Sequence, residues 1–82
     1  MISKDSIESA YCIMHQKERV YRYSNIDWQK DDIEFAIENY VDQMSPDLYN
    51  KISEGKNDFL RNHLRFHEDI TKALEILESL MH

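Results

Sequence analysis

His63 and His67 stand four residues apart, a spacing that brings two imidazoles to one face of a helix and within reach of one metal ion. The rest of a metal motif is missing. No Cys pair accompanies them, and Leu64 takes the position after the first His, where a zinc-hydrolase motif carries Glu. His15 and Glu18 would add ligands only through the pairing of two helices. Paired His residues on an apolar face are more often hydrogen-bonded groups at a core edge. No metal and no other cofactor is therefore expected, and a pH-sensitive packing layer is the lesser alternative.

Arg19-Val20-Tyr21-Arg22-Tyr23 interleaves cations with aromatic rings, the chemistry of a single-stranded nucleic-acid platform. The same residues also read as a helix C-terminus, with cations suited to the dipole and amphipathic tyrosines beside a core. The next segment brings several carboxylates that repel phosphate, and no recognition helix with a basic face follows. Cys12 lies among apolar neighbours in mid-helix, where a thiol is expected to behave as a small buried hydrophobe rather than a nucleophile. No carboxylate pair and no Gly-rich phosphate loop is visible, so an enzyme is not expected.

The chain that must position these groups has 82 residues, 41% hydrophobic and 32% charged, with a net charge of −6. That length suits one domain spanning residues 1–82. No stretch approaches the ~20 apolar residues of a membrane span, and the start has no signal-peptide pattern. A lone Cys cannot build a disulfide framework, so a reducing cytoplasm is the expected setting. The acidic balance speaks against a general polyanion binder. With one Gly and one Pro there is too little turn chemistry for a sheet. The expected fold is all-α, a compact bundle of three to four helices with a short third helix and a long C-terminal one.

Ser3 or Ser6 supplies the first helix cap, and Ser24 and Asn25 stop that helix. Asn25 or Asp27 caps a second helix running to about Met44. Ser45-Pro46-Asp47 is the clearest start signal in the chain, with a capping hydroxyl, Pro at the first helical position and an acid facing the dipole. Gly55 ends that short helix in a left-handed conformation. Asn57 or Asp58 then caps a last helix of about 24 residues, roughly 36 Å long at ~1.5 Å per residue.

In the second helix Ile33, Ala36, Ile37, Tyr40, Val41 and Met44 form one core-facing stripe. Trp28 and Phe35 point to the opposite side. The packing expectation folds Trp28 over the turn between the first two helices and covers Phe35 with a neighbour. The functional alternative leaves an exposed aromatic pair in acidic surroundings, suited to a partner. The first helix has an apolar arc wide enough for packing on two sides. The second side, with Cys12, Ile13, Val20 and Tyr23, awaits the short third helix or another chain. In the last helix Leu74, Leu77 and Met81 belong to a broad apolar face that needs a partner if the helix overhangs the bundle. Arg61 and Arg65 oppose the dipole of the last helix, which suggests pairing with Glu38 and Asp42 at the end of the second.

Three stretches, Ser9 to Cys12, His15 to Tyr21 and Asp27 to Ile33, resemble small uncharacterised proteins of gut Bacteroides-type bacteria. The resemblance covers about the first half of the chain, implies a bacterial cytoplasmic protein and transfers no activity. The function expected from these readings is a non-enzymatic protein–protein interaction module that self-associates through apolar helix faces. Its candidate contact residues are Trp28, Phe35, Leu74, Leu77 and Met81, and its partner is a homo-oligomer mate or another protein. The competing class is a nucleic-acid-associated regulator using patches at Arg19/Arg22 and Arg61/Arg65.

Overall fold

A computed structural model describes residues 2–82. The first helix, α1 (Lys4–Tyr23), begins at Ser3, whose hydroxyl oxygen accepts the Ser6 amide hydrogen at 3.1 Å. It stops where Ser24 turns extended. The Ser24 side chain then shapes the link into α2 (Asp27–Gln43), donating to Gln29 Oε1 at 2.8 Å and accepting from the Ile26 amide at 3.3 Å. Neither Asn25 nor Asp27 caps α2, contrary to expectation. Ile26 holds the cap position without a side-chain bond, since its side chain carries no acceptor, and its own amide hydrogen goes to Ser24 Oγ.

Helix α3 (Pro46–Ser53) starts as the sequence implies, with Pro in its first turn. Ser45 caps it through its carbonyl, which accepts from Tyr49, and not through its hydroxyl. At its end Glu54 and Gly55 are both left-handed, at φ 53° and 88°. Only Gly takes that conformation without a Cβ penalty, so Gly55 fits the turn at no cost while Glu54 carries some strain.

The last helix departs from the sequence expectation. Residues 57–61 form turns, His63–Arg65 a single 3-10 turn, and α4 runs only over Phe66–Leu80. Its 15 residues span about 22 Å at ~1.5 Å per residue. Leu60 breaks any earlier helix with φ 63°. Its amide hydrogen goes to the buried Asp69 carboxylate at 3.1 Å, and the Phe59 carbonyl accepts from the Tyr49 hydroxyl at 2.9 Å. Side chains thus replace the backbone bonds a helix would have made. The helix bundle remains: four α-helices among the described residues, with α3 short and α4 about twice its length.

Helices α1 and α4 lie along one another, α2 packs on α1, and α3 packs on α4. Ile7, Ala10 and Met14 of α1 meet a core built from Ile33, Ile37 and Val41 of α2 and Leu48 and Ile52 of α3. Phe59 and Leu60 from the elbow and Phe66, Ile70, Ala73 and Leu77 from α4 complete it. Leu77 is fully buried, and Leu74 and Met81 are partly buried against the core, so most of their face is packed within the chain. Starting at Phe66, α4 is short enough for its neighbours to cover its apolar side. Among the described residues no helix is long and apolar enough to cross a membrane.

Candidate functional site

Two features on the outside of α2 bear on function. The first is its outer face. Ile33, Ile37 and Val41 turn inward, and at ~100° per residue Trp28 and Phe35 fall on the opposite side. Both are 65% exposed. The expectation that they would be covered is overturned, because α3 packs on α4 and leaves this side of α2 without a neighbour. Asp31 and Asp32 lie between the two rings in sequence, and both are exposed.

The second feature sits on the flank of α2 that faces the 3-10 turn. Glu34, with its side chain only 12% exposed, places both carboxylate oxygens beside His63 Nδ1, at 2.8 and 2.9 Å. The Tyr21 hydroxyl donates to Glu34 Oε2 at 3.3 Å. Asp31, one turn earlier on α2, completes a group with Glu34 and His63 whose ligand-capable atoms all lie within 4.8 Å of one another. The hydrogen bond to Glu34, then its charge, and then the charges of Asp31 and Asp27 hold His63 more basic than an ordinary imidazole. Burial foremost, then the charge of Glu34, pushes the Tyr21 phenol up. The Tyr21 ring is packed on three sides, tilted against Phe66 at 5.0 Å, stacked on His67 at 5.9 Å, and under Lys30 Nζ at 5.5 Å.

This geometry separates the two His residues that the sequence groups together. His63 lies in the 3-10 turn and faces Glu34, while His67 opens α4 and stacks on Tyr21. Their four-residue spacing loses its meaning where the helix does not run through both. The further candidates are also engaged. His15 stacks on Tyr11 at 5.5 Å, and the buried Glu18 carboxylate is gripped by Arg22 through Nη2 and Nε. Asp31, Glu34 and Tyr21 were not singled out as a group by sequence reasoning. The available signal was their helical placement, with Asp31 and Glu34 three residues apart on one flank of α2.

The basic patches are largely neutralised. Arg22 pairs with Glu18, Arg61 with Asp42 at 2.6 Å, and Arg65 with Asp58 at 2.6 Å. The Arg61–Asp42 pair is the one anticipated between the last segment and α2. Arg65 takes a partner within its own elbow in place of Glu38. The second side of α1 is only partly covered: Ile13 packs against the core, but Val20 and Tyr23 are exposed, and so is Cys12, contrary to the expectation of a buried thiol; Arg19 beside them is exposed too. A depression of about 350 Å³ where the start of α1 meets the α2–α3 junction is lined by Asp5, Ser6, Ser9, Tyr40 and Met44 among others.

No family model, curated protein or solved structure matches this chain.

Proposed function

We propose that the protein is a small non-enzymatic interaction module that pairs with a second copy of itself. The observation that carries this reading is the exposure of Trp28 and Phe35 on the outer face of α2, amid the carboxylates of Asp31 and Asp32. Seven residues apart on one helix, the rings are spaced about 10.5 Å along its axis. Large exposed aromatic groups with charged surroundings have the composition of an interface centre and its rim.

The occupant is argued from charge. The last turns of α1 present Arg19 with the exposed apolar groups Val20 and Tyr23, and none of these is buried by α2, α3 or α4. That surface complements an acidic aromatic face in both sign and polarity. In a two-fold dimer the α2 face of each copy meets the α1 end of the other, so one type of contact forms twice and closes. The face of Leu74, Leu77 and Met81, mostly packed within the chain, has no part in this arrangement. An exposed thiol at Cys12 suits a reducing cytoplasm, where we place the protein.

Sedimentation equilibrium of the wild type and of the Trp28→Ala and Phe35→Ala variants tests the reading. The wild type is expected to dimerise, and loss of either ring weakens association by about 2 kcal/mol, roughly thirtyfold. A wild type that is monomeric throughout the micromolar range removes the proposal.

A further inference from the structure

We propose that Asp31, Glu34 and His63 form a binding site for a divalent transition-metal ion of the zinc class. The donor set is one imidazole nitrogen and two carboxylates, the mixture that such borderline cations take. Calcium and magnesium are poorer matches, because they want more oxygen ligands and no imidazole.

Geometry carries the argument. Metal–ligand bonds of about 2.1 Å put neighbouring donor atoms about 3.0 Å apart at right angles and about 3.4 Å apart in a tetrahedron. His63 Nδ1 already stands 2.8 and 2.9 Å from the Glu34 oxygens, so a cation entering between them displaces a proton and needs little movement. The whole set spans no more than 4.8 Å, and the exposed Asp31 side chain is free to rotate through the remaining distance.

The surroundings hold the ligands as metal sites do. Glu34 is mostly buried and receives an outer hydrogen bond from the Tyr21 hydroxyl, which is itself fixed by Phe66 and His67. Asp31 and Glu34 share one helix, and His63 arrives from the 3-10 turn, so the ion would tie α2 to the entry of α4. Three protein ligands leave a fourth position for water. The site does not depend on self-association, and it can be tested in the Trp28→Ala variant as well as in the wild type.

The experiment is a titration of tag-free protein with Co(II), followed by visible absorption, with Zn(II) as competitor. One equivalent of Co(II) is expected to bind and to be displaced by Zn(II). His63→Ala and Asp31→Asn each weaken binding by about tenfold or more, Tyr21→Phe weakens it by up to about tenfold, and His15→Ala, remote from the site beside Tyr11, leaves it unchanged. His63 is 69% exposed in its side chain, so its replacement leaves the fold intact, with circular dichroism as the check. Absence of stoichiometric uptake overturns the proposal, as does uptake that survives His63→Ala at full affinity.

Discussion

Leu60 donates its amide hydrogen to the buried carboxylate of Asp69 at 3.1 Å, across the elbow where the chain passes from α3 to α4. The bond holds a left-handed Leu60 whose side chain is completely buried. It fixes where α4 begins, and hence where His63 stands relative to Glu34.

Removing this acceptor strands a buried donor. Asp69→Ala should lower stability by about 1.5–3 kcal/mol, the range for a hydrogen bond to a charged group. Urea denaturation measures the loss. A change within a few tenths of a kcal/mol would show that water replaces the carboxylate and that the elbow does not rely on it.

Arg22 and Glu18 form an unequal pair, the carboxylate buried and the guanidinium half exposed. Removing the cation leaves the anion buried without a partner. Because solvent screens Arg22, Arg22→Ala should lower stability, but by less than breaking a fully buried pair would. Arg22→Ala combined with Glu18→Leu should recover most of the loss, since the buried charge is then gone. Chemical denaturation of the single and double variants separates these outcomes.

Stability should fall in mild acid for a reason that can be located. Glu54 is held below the ordinary carboxylate range by its hydrogen bond from Lys72 and then by the charge of Lys72. Asp58 is held low first by the Asn62 amide, which outweighs desolvation, and then by the charge and hydrogen bond of Arg65. Folded values below the unfolded ones mean that these bonds stabilise fully well above the ordinary values of 4.5 and 3.8. Their contribution is lost as the pH falls through that range and then through the lower folded values. The urea midpoint should therefore decline between about pH 5 and pH 3, and Glu54→Gln with Asp58→Asn should flatten part of that decline. An unchanged slope in the double variant would assign the acid sensitivity to other carboxylates.

Local chemistry made much of the fold legible. Ser3 caps α1, Pro46 opens α3, Gly55 closes its turn, and the stripe of Ile33, Ile37 and Val41 points inward, as their types and spacing imply. The start of α4 was not legible, because Asn57 and Asp58 resemble caps while the bonds that unwind residues 57–61 come from Asp69 and Tyr49. Those partners are ten residues away or nearly so, beyond any helical period. The same break explains why the spacing of His63 and His67 misled, and why Glu34, a residue from another helix, became the partner of His63. For Trp28 and Phe35 the periodicity gave the side of the helix. Whether a neighbour covered that side depended on where α3 docked, which no local pattern encodes.

The most direct test of self-association through the α2 face uses Trp28 itself, the sole tryptophan in the chain. Its emission and its quenching by iodide are followed as the protein is concentrated from the low micromolar range upward. The account predicts a shift of the emission to shorter wavelength and growing protection from quencher, both abolished by Phe35→Ala and weakened by Arg19→Glu. Emission that stays that of a water-exposed indole, equally quenched at every concentration, would contradict it.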